Sequence, residues 1–276
     1  MTLLSRNVDL ARALKLSPWR KVAIGTWRSA GDPSVYGIVE YEVQATLDYL
    51  ERLQRESGQK ITLTHFVGRA LAEAMKRHPG LNCILRFGRL YPRKSVDIFF
   101  QVASDQRGDD LSGMTVRQAE QKSLPEIAAE MRQKVERIRK DNDPAFAKMK
   151  NLFGFLPGFL AAPLISISGT ILYALNLWSP LLGVPRDSFG SAMVTSIGSI
   201  GLETAFAPLV PYSRVPLLVA VGAVREQAVV KDGQVVAAKV IRLCATFDHR
   251  LIDGVQAAHM SRTLGQIFAN PAQELT

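Results

Sequence analysis

The stretch QVVAAKVIRLCATFDHRLIDG, residues 234–254, joins a long strand to the start of a helix through a charged turn. Gln234 to Phe247 is strand-like, and Asp232-Gly233 before it favours a tight hairpin because both residues tolerate positive φ. From Gly254 to about Phe268 the pattern changes, with Val255, Ala258, Met260, Leu264 and Ile267 giving the last helix its apolar positions. Between the two lies Phe247-Asp248-His249-Arg250-Leu251-Ile252-Asp253-Gly254. A strand-to-helix junction presents side chains to a cleft rather than to a core. Charge placed directly after an apolar strand is costly unless it is paired or used. His249 there can act as a general base, since its ordinary pKa of about 6.5 lies near working pH. The other reading of the same residues is a surface ion-pair cluster in which Asp253 complements the helix dipole.

Outward from this segment, Ala192 to Ile197 and Val215 to Val224 read as strands. In the first third, Val35 to Val43 alternates as a strand and Ala45 to Arg55 follows as a helix. A second helix runs from about Thr62 to Arg77, with Phe66, Val67, Ala70, Leu71 and Met75 on its apolar positions and His78, Pro79 and Gly80 ending it. Leu81 to Phe87 and Ser95 to Ala103 read as strands. Ser123 and Glu126 have capping-box spacing ahead of a stripe of Leu124, Ile127, Ala128, Met131, Val135 and Ile138. His65, His78 and His259 fall within or at the ends of helices, where a structural or solvated role is expected.

The 276 residues carry a net charge of +9 with cations spread among Asp and Glu, which argues against nucleic-acid binding. Cys83 and Cys244 lie in apolar stretches and read as buried small hydrophobes. Without paired-cysteine spacing or a secretory pattern, a reducing cytoplasmic compartment is expected, and no metal or redox cofactor. From Asn151 to Pro185 the chain is uncharged and apolar, but Pro157, Pro163, Gly169 and Pro180 break it before a spanning helix can form. Three roles remain open for this run: a contact between or within oligomers, an interfacial hairpin at a bilayer surface, or core packing.

Asp248-His249-Arg250-x-x-Asp253-Gly254 resembles the signature of the dihydrolipoyl acyltransferase catalytic domain of 2-oxoacid dehydrogenase complexes, a fold shared with chloramphenicol acetyltransferase. Gly190-Ser-Ala-Met-Val-Thr195-Ser-Ile-Gly198-Ser-Ile-Gly201 is similar to that family's Gly-Thr-Phe-Thr-Ile-Ser/Thr-Asn-Leu-Gly strand, and Pro79-Gly80-Leu81-Asn82 to its Pro-x-Leu/Val-Asn element. The resemblance runs from about Pro18 to Pro271. It implies one α/β catalytic domain over residues 1–276, a two-layer sandwich of a mixed sheet with helices on one face, interrupted by a hydrophobic insertion at 151–185 and forming a homotrimeric building block.

It also implies an acyltransferase that uses coenzyme A and a dihydrolipoamide-like thiol or another small acceptor. His249 would be the base and Thr195 the oxyanion donor. Asp253 would fix the active-site loop through an ion pair, with Arg20 as its partner, and Asp248 and Arg250 would position. In the family the histidine of one subunit faces the hydroxyl residue of the next. The chain as given carries neither a lipoyl domain nor a domain that binds partner enzymes, so any lipoyl group is expected from another chain.

Three departures stand against the pattern. Residues Ser104 to Val116 replace the family's glycine-containing strand with Asp-Gln-Arg-Gly-Asp-Asp-Leu-Ser-Gly-Met, and Pro211-Tyr212-Ser213-Arg214 replaces its Asn-Pro-Pro-Gln turn. The third is the apolar insertion. Together with the missing carrier domains they leave a second reading open, a non-catalytic trimeric scaffold or membrane-associated assembly protein.

Overall fold

The computed structural model describes residues 5–18, 21, 32–103, 111–139, 158–180 and 185–275. A seven-stranded mixed sheet is the frame: β2 (Ser34–Glu42), β5 (Ile98–Ala103), β6 (Leu111–Val116), β8 (Ala192–Ser196), β9 (Leu217–Val221), β10 (Arg225–Lys231) and β11 (Gln234–Asp248). β8 pairs in parallel with β5 and β9, while the remaining pairings are antiparallel. Two small sheets stand beside it: β1 (Ser5–Arg6) with β7 (Leu177–Trp178), and the hairpin of β3 (Cys83–Arg86) with β4 (Arg89–Pro92).

β11 orders the sheet because it is bordered on both sides. Val240 to Asp248 lie along β2, while Leu243 to Phe247 lie along β9 on the other edge and Gln234 to Val240 pair back onto β10. The hairpin between β10 and β11 closes at Asp232 (φ 50°) and Gly233 (φ 77°), the geometry anticipated from that dipeptide.

One face of the sheet carries the helices α1 (Gln44–Ser57), α2 (Leu63–Arg77), α3 (Leu124–Arg139) and α5 (Gly254–Ala269). The helix between α3 and α5, α4 (Gly158–Gly169), belongs to the apolar segment, and a short helix α6 (Pro271–Glu274) ends the chain. Side chains alternate along each strand, so Ile241, Leu243 and Phe247 meet the helices while their neighbours point the other way. Phe66, Phe100 and Phe268 are fully buried there, each contributing roughly 1.5–3 kcal/mol through the area it removes from water. Phe66 meets Phe268 edge-on at 5.0 Å, and Tyr41 stacks on Phe268 at 4.8 Å while its hydroxyl donates to the Ser261 carbonyl.

Gly68 explains how closely α2 lies on the sheet. A Cβ at that position would stand 2.2 Å from Cζ of Phe100. Glycine costs a helix interior about 0.5–1 kcal/mol relative to alanine, and the close seat of the Phe100 ring is what that cost permits.

Side-chain caps open α2 and α3, the second of them as read from its sequence. Thr62 Oγ1 accepts from the His65 N–H while His65 Nδ1 accepts from the Thr62 N–H. Ser123 and Glu126 exchange the equivalent bonds at α3. Cys83 and Cys244 are both buried, as expected.

Two regions differ from the sequence reading. Within Ser104 to Val116, where the family's strand looked replaced, residues 111–116 form β6 against β5. Gly113 lies under the Phe99 ring, 2.0 Å from where a Cβ would sit, so any side chain there would push that ring aside. The apolar run is split between two fates. Leu172 and Tyr173 pack with Val8, Leu10 and Ile84 in a small second core, whereas Leu164, Ile165 and Ile167 on α4 are exposed. Asn176, at φ 56°, fastens the buried part by donating to the Val8 carbonyl through its amide nitrogen. Among the described residues no helix is long and apolar enough to cross a membrane.

Candidate active site

His249 stands one residue beyond β11, and main-chain bonds on both sides of it set its place. Its own N–H donates to the Pro33 carbonyl at 2.9 Å, and the Asp248 N–H donates to the Pro216 carbonyl at 2.9 Å. The Asp248 carbonyl accepts from Leu251 and Ile252, closing the turn that leads into α5. The imidazole is half-buried at the end of the sheet.

The charges around it are paired. Asp248 is buried, and Arg250 reaches both its carboxylate oxygens, through Nε at 3.0 Å and Nη2 at 2.7 Å, with a further bond from the Arg250 N–H. A fork of this kind satisfies a buried carboxylate and holds its geometry. Asp253 caps α5: it accepts from the Gln256 N–H at 2.9 Å, and the Gln256 side chain accepts from the Asp253 N–H. Among the described residues these bonds make Asp253 the cap of α5. Arg20, the expected ion-pair partner of Asp253, lies outside the described residues.

Arg214 is the residue that sequence reasoning passed over. It takes the left-handed conformation at φ 55° in the turn before β9. Burial, with repulsion from Arg250, pulls its guanidinium below the ordinary value, and Asp248 opposes that pull. The signal was present, since Arg214 falls in the turn where the family pattern is lost.

The other histidines have structural surroundings. His65 serves the α2 cap, and burial pushes its imidazole down to about 4. His78 Nε2 bonds the Thr263 hydroxyl at 2.8 Å; burial first, then His259 and Arg77, lower its pKa. Asn82 in the Pro79-Gly80-Leu81-Asn82 element is buried and donates to the Ser95 carbonyl at 2.9 Å.

Thr195 sits on β8 and is half-buried, on the face without helices. Two glycines of its segment are required by close approach. A Cβ on Gly190, at φ 66°, would lie 2.4 Å from the Asp97 carbonyl oxygen, and one on Gly198 would lie 2.6 Å from that of Gly222.

Register then places Thr195 relative to His249. Thr195 pairs with Ala220 on β9, and Ala220 pairs with Cys244 on β11, so Thr195 and Cys244 share a row two strands apart. His249 is five residues farther along. At ~4.8 Å per strand and ~3.3 Å per residue, the two backbone positions are roughly 19 Å apart. Within one chain, then, the expected base and the expected oxyanion donor occupy opposite ends of the strands. Two cavities, about 300 Å³ between α1 and α6 and about 220 Å³ beside Arg93 and Asp187, include neither residue.

Comparisons with known proteins bear on this geometry. The family model for the 2-oxoacid dehydrogenases acyltransferase (catalytic domain) matches residues 11–145 and 187–276. Its unmatched interval contains the apolar run. The dihydrolipoyllysine-residue acetyltransferase component of the pyruvate dehydrogenase complex of Staphylococcus aureus (strain Mu50) is 25% identical over 244 residues, 87% of this chain and 46% of the relative. Its Staphylococcus epidermidis counterpart matches over the same shares. The chain thus spans about half the length of the curated relatives it matches.

Among solved structures, a probable dihydrolipoamide acetyltransferase from Listeria monocytogenes superposes with a TM-score of 0.67 at 18% identity, covering 96% of this chain and 97% of that one. The cubic core of a pyruvate dehydrogenase multienzyme complex gives 0.66 at 22%, over 96% and 95%. A chloramphenicol acetyltransferase gives 0.52 at 14%, over 93% and 100%. These likenesses establish the expected two-layer fold. With the family model matching both ends of the chain, through the Asp248–Gly254 turn and the β8 strand alike, this chain belongs to the family of 2-oxoacid dehydrogenase acyltransferase catalytic domains.

Proposed function

We propose that this chain is an acyltransferase that moves an acyl group between coenzyme A and a thiol of dihydrolipoamide type, or another small acceptor. A lipoyl thiol would be brought by another polypeptide. The observation that carries the reading is the placement of His249 on a turn fixed by the Asp248–Arg250 fork, in a chain of this family. His249 takes the proton of the attacking thiol, and the thiolate adds to the thioester carbonyl. The Thr195 hydroxyl donates to the oxygen that becomes negative. As the tetrahedral intermediate collapses, the leaving thiolate departs and recovers the proton from the imidazolium.

A separation of roughly 19 Å cannot serve one tetrahedral centre, whose donors stand ~3 Å away. Register therefore favours a site assembled between copies, with His249 of one facing Thr195 of the next, in a homotrimer or a multiple of it. Asp248 and Arg250 position the turn, and Asp253 holds the helix behind it. The reading includes a cytoplasmic setting, peripheral at a membrane through the 151–185 segment.

His249→Ala should lower acyl transfer from acetyl-coenzyme A to dihydrolipoamide by about 10²–10⁴-fold with unchanged thermal unfolding. Unchanged turnover would remove the mechanism. Thr195→Ala should cost about 10²–10³-fold. Equal mixing and reassembly of the two inactive variants should restore about a quarter of the sites, those that draw each intact residue from a different copy. No recovery would mean that the two residues do not cooperate across chains.

A further inference from the structure

The helix α4 is apolar along its length, and Pro163, Leu164, Ile165, Ser166 and Ile167 are all exposed. Five consecutive exposed residues exceed one helical turn, so no side of this part of α4 is fully covered. A helix that docks on a protein groove needs one apolar face and keeps the other polar; a helix apolar all round belongs in a continuous apolar medium. The side chain of Ser168, and that of Thr170 just beyond the helix, are consistent with that medium. The Ser168 hydroxyl donates to the Ile165 carbonyl and the Thr170 hydroxyl to the Ser166 carbonyl, so each turns back on its own backbone.

The surroundings supply the charge. The turn after α4 is tied to the β3–β4 hairpin, where Arg86 Nε donates to the Ala174 carbonyl at 3.0 Å. At the hairpin tip Phe87 is 72% exposed at φ 47°, between Arg86 and Arg89. Arg6 pairs with Leu177 across β1 and β7. The segment carrying Arg12, Leu14 and Lys15 runs along β4 through bonds from Ala11 to Pro92 and from Leu14 to Leu90. Leu14, Leu175 and Leu177 are exposed beside these cations. Residues 83–94 and 158–180 contain no Asp or Glu, and Asp9, on the adjoining segment, is held by Arg186.

We infer that this surface docks on an anionic lipid bilayer. Residues 163–167 of α4 enter the acyl region of one leaflet, and Phe87 with the ring of arginines and Lys15 meets the headgroups. At 12 residues α4 is about 18 Å long, against ~30 Å of hydrocarbon, so it reaches into one leaflet without crossing. A second copy of the chain is a poorer occupant, because it would set the same cations against themselves. The inference gives the peripheral placement its residues and does not depend on the acyl-transfer chemistry.

Flotation of the full chain with phosphatidylcholine vesicles, with and without phosphatidylglycerol, tests it. The protein should float with the anionic vesicles and far less with phosphatidylcholine alone. Ile165→Glu with Ile167→Glu should cut partitioning at least ~10-fold, and Arg89→Glu about 10-fold. Circular dichroism and acetyl transfer should be unchanged in both, which separates this result from failure of the enzymatic reading. Equal flotation on neutral vesicles, or undiminished flotation of the double variant, overturns the inference. So does a smaller particle mass for that variant in lipid-free light scattering, which would make the surface an interface between copies.

Discussion

α2 and α4 are both rich in apolar residues, yet α2 is buried for ten consecutive residues, Phe66 to Met75, and α4 is exposed for five, Pro163 to Ile167. Polar fittings, more than apolar content, separate them. α2 opens on the Thr62–His65 cap, and its buried Arg69 is matched by Glu73, which Arg77 also grips from the next turn. Burial alone would raise the Glu73 carboxyl, but Arg69 and Arg77 outweigh it and hold the group below its usual value. α4 has no charged residue to fix an orientation against the body. Among its described residues, the far end meets the body, where Gly169 lies against Tyr212.

The largest difference should come from truncation. Phe66→Ala on α2 empties a fully buried site and should cost about 3–5 kcal/mol in denaturant unfolding. A cost below 1 kcal/mol would mean that α2 is not seated as described.

Acidification should separate the helices next. The folded pKa of His65 is lowered to about 4, so between the ordinary His value of about 6.5 and that point the unfolded chain binds the extra proton. Its contribution is present above pH 6.5 and is lost as pH falls toward 4, by up to about 3 kcal/mol. His65→Gln keeps a side chain able to complete the cap and should flatten this part of the stability profile. An unaltered profile would place the acid sensitivity elsewhere.

The smallest effect belongs to α4, where Ile167→Ser should shift lipid-free stability by no more than about 0.5 kcal/mol. A loss comparable to that of Phe66→Ala would show that α4 is covered in solution and would erase the contrast.

What the sequence discloses follows from how local each signal is. The Ser123–Glu126 cap and the Asp232-Gly233 hairpin are each written within four residues and form as read, while the equally local caps at Thr62 and Asp253 are findings of the structure. The parallel pairing of β5 with β8 joins Ile98 to Ala192, far apart in the chain, and no period in the chain announces it. β6 was hidden because a charged run precedes it, while the ring that covers Gly113 comes from Phe99 on another strand. At the site, His249 and Thr195 were legible from their motifs. Their distance was not, because it depends on the registers of two strand pairings. Arg214 was obscured for a similar reason: only folding brings it beside Asp248 and Arg250.

β11 runs fifteen residues, about 50 Å, with neighbours on both edges. A strand so confined behaves as a ruler. Removing one residue between Val240 and Phe247 would turn every later side chain to the opposite face and carry the imidazole with them. Such a deletion should abolish turnover although none of the lost atoms reacts, whereas lengthening the exposed tip at Asp232-Gly233 should be tolerated. The sheet thus constrains the spacing from Val240 to His249 as strictly as the chemistry constrains the histidine.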